Sequence, residues 1–293
     1  MRWIVGLDLR GLSQGAIHFA KWLHEHSEAE KFVAVHVVEG RVDSRAQVAV
    51  AGESFRDWLE AAAEKEVAKA GARDAFGDIE SKTVSSAEEG LVLALEERKA
   101  DGLVLGRKTP RGKDAVVRLG RVARRLIRRL ESPLIIVPPD LRSEEIGEGP
   151  VVVATDLGAD AVGALRFGHA QAKALGRELV LVHAIQLPSH LDQYLPADAW
   201  SSVQAEVGTE GQDAAVAWAA SHGIEARIVV VDGPVVRALW TAAVEERACL
   251  LVCGSRRLSL LERIFTSSVG VELAASSPIP IAIVPPPPEP ASA

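Results

Sequence analysis

The sequence repeats itself once, over most of its length. Four apolar segments of the first half return in the same order in the second half, displaced by 147 or 148 positions. The pairs are Trp3–Asp8 with Val151–Asp156, Phe32–Val37 with Leu179–Ala184, Gly102–Gly106 with Leu250–Gly254, and Pro133–Pro138 with Pro280–Pro285. This period is too long for a solenoid repeat and is typical of two copies of a whole domain.

The repeat sets the expected domain boundaries. We predict a first domain over residues 1–138, a linker over 139–150, a second domain over 151–285 and a tail over 286–293. The linker is rich in proline, glycine and charged residues, and the tail is rich in proline. Both compositions favour extended connecting chain over a packed core.

Composition narrows the class of protein. Of the 293 residues, 48% are hydrophobic and 25% are charged, which is ordinary globular composition. The formal charge of −7 argues against a general nucleic-acid or membrane-surface binder. Two cysteines cannot make a disulfide framework, which favours a reducing compartment. No signal peptide or membrane span is expected, because Asp8 breaks the apolar start and no apolar run approaches about 20 residues. We therefore expect a cytoplasmic protein.

Within each copy, short apolar runs alternate with helical patterns. The runs are nearly continuous in Val, Ile and Leu, as strands buried on both faces are. Such an alternation predicts an α/β fold with a parallel sheet, about five strands and four helices in each copy. Helices are predicted around Ala16–Leu23, over Ser54–Ala70, from Ser85 and Ser86 to Arg98, and over Ala161–Leu175, Val203–Ser221 and Pro234–Glu246.

Ligands of such sheets bind outside the carboxyl ends of the strands, where the strand order reverses. Asp8 and Asp156 end the first strand of their copies, and Gly106 and Gly254 end the fourth. The alternative for each aspartate is a local cap of the following loop or helix.

These segments together resemble the universal stress protein family in its tandem, two-domain form. The resemblance covers 3–138 and 151–285, and it implies two flavodoxin-like, Rossmann-like domains with a five-stranded parallel sheet in the order 3-2-1-4-5. In the ATP-binding branch the fourth strand leads into Gly, two residues, Gly, nine residues, then Gly-Ser or Gly-Thr. Glycines let the backbone approach phosphates, and the last pair opens a helix whose amino terminus attracts anions.

Both copies depart from that motif. The first has Gly106-Arg107-Lys108-Thr109, ten residues and Gly120-Arg121-Val122, so a threonine replaces a glycine and an arginine replaces the hydroxyl. The second keeps the spacing, but Arg257 and Ser267 replace its later glycines, and its Ser-Ser ending resembles the branch that does not bind ATP. The resemblance thus implies ATP as the candidate cofactor of either copy, with empty crevices as the alternative.

The residues that the resemblance assigns to a ligand fall in two sets. In the first copy they are Asp8, Val37, Gly106, Arg107, Lys108, Thr109, Gly120, Arg121 and Val122. In the second copy they are Asp156, Ala184, Gly254, Ser255, Arg257, Ser267, Ser268 and Val269.

Other reactive residue types fit structural roles better. His36 and His183 lie inside apolar strands and are expected to be hydrogen-bonded core histidines. No histidine shows metal-ligand spacing, so no metal is expected. Cys249 and Cys253, at i and i+4 of a strand, would lie about 13 Å apart and cannot bridge.

No catalytic group stands out, so an enzyme is the less favoured reading. The resemblance implies a non-catalytic stress-response or signalling protein that senses ATP or another phosphorylated ligand. A weak nucleotide hydrolase and a structural interaction module with empty crevices are the alternatives. Protein partners are not identifiable; we expect an intramolecular pseudo-dimer through the last strands, 134–137 against 281–284, with a homodimer as a further option.

A basic segment of the first copy supports an anion site. Between Gly106 and Leu130 there are ten Lys or Arg residues and one acid, Asp114. Arg121, Arg124, Arg125, Arg128 and Arg129 share one face of a helix, and such a stripe is commonly solvated. Arginine in a first helical turn opposes the helix dipole at a cost of about 0.3–1 kcal/mol, which a bound anion would reverse. We hypothesise that Arg107, Lys108, Thr109, Gly120 and Arg121 bind a phosphorylated ligand.

Overall fold

A computed structural model describes residues 1–28, 30–40, 55–111, 119–129, 131–187, 194–255 and 269–287. The chain divides into two compact units. The first unit comprises Met1–Ile146 together with Ala274–Ile283, and the second comprises Gly147–Leu273 with Val284–Ala293.

The first unit alternates strands and helices, as the sequence predicts. Its strands are β1 (Trp3–Leu7), β2 (Phe32–Glu39), β3 (Phe76–Val84), β4 (Gly102–Gly106) and β5 (Leu134–Val137). Its helices are α1 (Gln14–His26), α2 (Phe55–Lys69), α3 (Ala87–Arg98) and α4 (Arg121–Arg129). Strands β1 and β5 are buried throughout, and β4 is buried at every residue except Gly106, because helices cover both faces of the sheet.

The sheet of the first unit has the order β3-β2-β1-β4-β5. Adjacent strands among these five are parallel, with Leu7 opposite His36 and Gly6 opposite Leu105. The order reverses between β2 and β4, on either side of β1. The carboxyl ends of β1, β2 and β4 therefore meet at one edge of the sheet, where Asp8, Glu39 and Gly106 lie.

The second unit repeats the pattern. Its strands are β6 (Val151–Thr155), β7 (Leu179–Ile185), β8 (Arg227–Asp232) and β9 (Leu250–Gly254), in the parallel order β8-β7-β6-β9. The next elements of the chain are α5 (Val162–Leu175), α6 (Ala197–Ser221), α7 (Val235–Glu245) and α8 (Val269–Ser276), followed by β10 (Ile281–Val284). Residues 281–283 of β10 belong to the first unit, where β10 pairs antiparallel with β5 and Ile281 lies opposite Ile136.

Local signals explain some of the helix boundaries. Ser86 caps α3, because its side chain accepts a hydrogen bond from the backbone N–H of Glu89. The left-handed Gly176 ends α5. Helix α6 begins at Ala197, six residues before the predicted Val203, with Pro196 at its N-cap position.

Two glycines allow helices to approach the end of a strand closely. A Cβ at Gly15 of α1 would lie 1.8 Å from the carbonyl oxygen of Pro138, which follows β5. A Cβ at Gly163 of α5 would lie 2.5 Å from the carbonyl oxygen of Pro285. The same contact recurs in both units, which supports the reading of the chain as two copies of one domain.

Candidate functional site

The loop after β1 is held by Asp8. Its Oδ1 accepts hydrogen bonds from the backbone N–H groups of Arg10 (3.1 Å) and Leu12 (3.0 Å). The backbone N–H of Asp8 in turn donates to Oγ of the buried Ser13. Asp8 thus organises the turn that leads into α1, which is the local role that the sequence left open for it.

Gly106 ends β4 directly beneath that turn. A Cβ at this position would lie 2.2 Å from the carbonyl oxygen of Leu12. The close approach of the β1–α1 loop is therefore by itself a sufficient reason for glycine here, with no phosphate involved.

Arg107 turns into the protein. Its residue surface is 3% exposed. Nε donates to the carbonyl oxygen of Thr109 at 2.7 Å, and Nη1 donates to the carbonyl oxygens of Ala275 (3.0 Å) and Ser277. Its backbone N–H donates to Val137. Burial lowers the pKa of Arg107 to about 10, so the guanidinium stays protonated at neutral pH. This geometry does not support the anion-contacting role that we predicted for Arg107, because the residue is buried and its Nε and Nη1 already donate to protein carbonyls.

The neighbouring residues of that motif remain nearer to solvent. Lys108 is exposed and Thr109 is half-buried. The carbonyl oxygen of Thr109 accepts the hydrogen bond from Nε of Arg107. Arg111, two residues further along, contacts Asp140 through Nε and Glu145 through Nη2.

Helix α4 presents the remaining predicted residues of the first unit. Gly120 and Val122 are half-buried, and no atom of the described residues lies within 4 Å of where a Cβ of Gly120 would be. The Arg121 side chain is 60% exposed, and its Nη2 lies 3.0 and 3.1 Å from the two carboxylate oxygens of Glu39. Residues 112–118 of the ten-residue spacer, which include Lys113, Asp114 and Arg118, lie outside the described residues.

Sequence reasoning missed Glu39, which ends β2 two residues after Val37. Its carboxylate also accepts the backbone N–H of Ala87, the first residue of α3, at 3.0 Å. That hydrogen bond, and then Arg121, hold the pKa of Glu39 below its usual range. A signal was present in the sequence: an acid directly at the carboxyl end of a strand lies where parallel sheets bind ligands.

The arginine stripe of α4 is exposed at all five positions, and Ala123, Leu126 and Ile127 are buried on the opposite face. Arg125 contacts Glu88 at 3.1 Å, a second acid that sequence reasoning missed. Two of the five arginines are therefore paired with carboxylates, and the remaining three, Arg124, Arg128 and Arg129, contact no carboxylate among the described residues.

Both strand histidines are hydrogen-bonded, as predicted. Nδ1 of His36 lies 3.0 Å from the carbonyl oxygen of Leu7, and Nδ1 of His183 lies 3.0 Å from that of Thr155. Val37 points to the opposite face, where it packs under Gly90 of α3. Ala184 is half-buried in the matching position of β7.

The second unit shows a looser arrangement at the same edge. Oδ1 of the exposed Asp156 accepts the backbone N–H of Gly158 at 3.0 Å, and Leu157 between them has a φ of +62°. A Cβ at Gly254 would lie 3.2 Å from the carbonyl oxygen of Asp160, an approach less close than that at Gly106.

The other predicted residues of this unit are described only in part. The backbone N–H of Ser255 donates to Val284, and Val269 is 38% exposed at the start of α8. Arg257, Ser267 and Ser268 lie outside the described residues.

The two cysteines are buried and free, as the sequence predicts. Burial raises the pKa of the Cys249 thiol to about 11. Among the described residues, no helix combines the length and the apolar composition that crossing a bilayer requires.

The model of the universal stress protein family matches residues 1–138 and again residues 149–285. The chain belongs to the universal stress protein family. Two matches in one chain make it a tandem member, as the repeat indicated, and its α/β architecture agrees with the family fold.

Solved structures support the fold of this universal stress protein over nearly its full length. A universal stress protein from Archaeoglobus fulgidus DSM 4304 is 15% identical, with a TM-score of 0.61 and 98% of each chain covered. A protein of unknown function from Pseudomonas aeruginosa PAO1 is 11% identical, with a TM-score of 0.60, and covers 97% of this chain and 92% of its own. At these identities the likeness shows the fold alone. No curated protein matches the chain.

Proposed function

We propose that this universal stress protein is a non-catalytic stress-response or signalling protein whose first unit binds a phosphorylated ligand, with ATP as the first candidate, at the amino terminus of α4. The observation that carries the proposal is the contact of Arg121 with the carboxylate of Glu39. It holds an exposed guanidinium at the edge of the sheet where ligands of this fold class bind.

The helix supports the binding of an anion there. Its first turn contains two arginines and no acid, so the positive end of the helix dipole meets positive side chains. Within the described part of the chain, no atom fills the space where a Cβ of Gly120 would be. An added anion would relieve both features, since it can accept hydrogen bonds from the guanidinium and from the free N–H groups of the first turn.

Glu39 acts as an internal competitor in this proposal. Its carboxylate, which is ionised at neutral pH, contacts both Arg121 and the amino terminus of α3. The pair is exposed, and exposed pairs contribute only about 0–1 kcal/mol. A phosphate group carries more charge and more acceptor oxygens than a carboxylate, so a phosphorylated ligand is expected to displace Glu39 from Arg121.

Calorimetry of ATP, ADP and inorganic phosphate against the whole chain tests the proposal. Arg121→Ala is expected to weaken binding at least about tenfold, because a hydrogen bond to a charged group is worth about 1.5–3 kcal/mol. Glu39→Gln is expected to tighten it, because the competitor loses its charge. Arg129→Ala, which removes an equally exposed arginine from the far end of α4, is the matched control and should change affinity little.

Equal affinity of wild type and Arg121→Ala, or no binding at low salt, would contradict the proposal. A second candidate, a structural interaction module with empty crevices, is favoured by one observation: Asp8 and Arg107 use their polar atoms within the protein. Mass spectrometry of the denatured protein as purified separates the two, since a retained nucleotide supports the first candidate and its absence, with no calorimetric signal, supports the second.

A further inference from the structure

Helix α4 of the first unit presents three exposed arginines that contact no carboxylate among the described residues. They are Arg124, Arg128 and Arg129. Arg124 and Arg128 lie one turn apart on the same face, about 6 Å from each other along the helix axis. The sequence of α4 contains no acid, so nothing on the helix itself offsets these charges.

Helix α6 of the second unit carries the opposite charge. Glu206, Glu210 and Asp213 are exposed and lie on one face, because they follow one another at four and three positions. The 25 residues of α6 include no Lys or Arg. Within the described part of the second unit, the ion pairs are made by Arg227 and Arg247, and neither contacts these three carboxylates.

The amino-terminal part of α6 has little packing of its own. Of residues 197–214, all of which the structure describes, none is buried. The two buried residues of the helix, Ala215 and Ala219, lie in its last two turns. Helices of globular proteins take most of their stability from tertiary packing. About five turns without a buried residue are therefore a surface on which a further contact would add stability.

The two charged helices are not features of the repeated domain. Helix α8 follows the fourth strand of its unit, as α4 does, and contains no Lys or Arg. Helix α2 follows the second strand of its unit, as α6 does, but its charges are balanced: Arg56 contacts Glu60, and Lys69 contacts Glu66. Each unit therefore carries one unbalanced helix, and the two helices have opposite sign.

We propose that α4 of one copy of this chain docks against the amino-terminal part of α6 of a second copy. Arg124 and Arg128 are four positions apart. Glu206 and Glu210 have the same separation, so two ion pairs can form one turn apart whichever way the helices run. A second copy is the partner because every copy carries both charged faces, and their charges are complementary.

The strength of this contact follows from its exposure. Exposed ion pairs are individually weak and are screened by salt. Association is therefore expected at high protein concentration and low ionic strength. Because the two docking faces differ, the contact is heterologous and can join more than two chains.

Sedimentation of the full chain at up to about 1 mM protein tests the proposal. At low ionic strength the wild type is expected to exceed 31.2 kDa. It should return to that mass at about 1 M salt, where the Debye length falls to about 3 Å. Two double variants, each with both charged faces of the same sign, should stay monomeric throughout. They are Arg124→Glu, Arg128→Glu and Glu206→Lys, Glu210→Lys.

A mixture of the two double variants makes the test specific. Each variant keeps the charged face that the other has lost, so the mixture should associate as the wild type does. Both variants remain net negative, since two charge reversals shift the formal charge of −7 by only four. A general attraction between oppositely charged proteins therefore cannot produce this result.

A matched control changes the same charges elsewhere. Arg166→Glu with Lys173→Glu replaces two exposed cations of α5 and should associate like the wild type. Arg124 also donates to the carbonyl oxygen of Leu119. If the α4 variant does not fold, the salt dependence of the wild type and the mass of the α6 variant decide.

Three results would overturn the proposal. The first is a wild type that stays at 31.2 kDa at low ionic strength. The second is a folded double variant that associates on its own, since that would place the contact on other surfaces. The third is a mixture of folded variants that stays monomeric.

Discussion

His36 reaches across from β2 to the last residue of β1, with Nδ1 lying 3.0 Å from the carbonyl oxygen of Leu7. A carbonyl oxygen only accepts hydrogen bonds, so Nδ1 carries the proton. His183 makes the same bond to Thr155 in the second unit. In both units the bond lies directly before the aspartate that organises the next loop, and so it fixes the edge of the sheet where ligands are expected.

Replacing either histidine is therefore expected to affect stability. His36→Phe keeps an aromatic ring but leaves the Leu7 carbonyl without its donor, which costs about 1–3 kcal/mol of unfolding free energy. Urea unfolding measures this. His169→Phe, at an exposed position without a hydrogen-bond partner among the described residues, should change stability by less than about 0.5 kcal/mol. Equal losses in the two variants would show that the strand-to-strand bond contributes nothing.

Gly106 gives a second prediction, which separates packing from ligand binding. Gly106→Ala places a Cβ 2.2 Å from the Leu12 carbonyl, and the loop must shift to admit it, at about 1–3 kcal/mol. Gly120→Ala places a Cβ more than 4 Å from every atom of the described residues and should cost little. Gly254→Ala, with 3.2 Å to Asp160, should fall between them. Thermal unfolding of the three variants gives the order. A stable Gly106→Ala that had lost only ligand affinity would contradict the packing explanation.

The parts of the fold that depend on local pattern could be predicted from the sequence. Apolar runs of four or five residues became buried parallel strands, and Ser86 caps α3 as its spacing to Glu89 indicated. The repeat predicted two α/β domains, because equivalent segments recur at nearly constant distance.

The roles of individual polar groups could not be predicted in the same way. Arg107 donates to the carbonyl oxygens of Ala275 and Ser277, which are about 170 positions away in the chain. No local sequence pattern can therefore predict that Arg107 is buried. The partner of Arg121 is Glu39, 82 positions away. The hydrogen-bond partners of long side chains depend on tertiary packing, whereas strands and helix caps depend on residues that are close in the sequence.

Arg107 supports a third prediction. Arg107→Lys keeps the positive charge, but a lysine ammonium cannot reproduce the planar fork that serves three carbonyl oxygens. We expect a loss of about 2 kcal/mol or more of unfolding free energy, because buried acceptors are left without donors. Lys108→Met, at the exposed neighbouring position, is the control and should unfold like the wild type.

Phosphate binding distinguishes the two roles of Arg107. If this residue contacts a ligand, Arg107→Lys should retain wild-type stability while its affinity for inorganic phosphate falls. The carbonyl contacts predict the reverse, a destabilised protein with phosphate affinity unchanged under conditions where it is folded.

The last prediction concerns acid stability and the contacts of Arg227. Its hydrogen bonds to Glu246 hold the pKa of Glu246 below the usual 4.5. Because the unfolded chain then binds a proton that the folded chain does not, the stabilisation is complete above about pH 5 and is lost as pH falls through the lowered pKa. Glu246→Gln removes the ionisable group. The unfolding free energy of this variant should therefore fall less steeply between about pH 5 and pH 3 than that of the wild type. Glu245→Gln removes an exposed neighbouring carboxylate that does not contact Arg227 among the described residues, and it should keep the wild-type slope. Urea midpoints measured across this range decide the matter, since parallel profiles for wild type and Glu246→Gln would mean that the contact with Arg227 does not shift the proton equilibrium of the folded state.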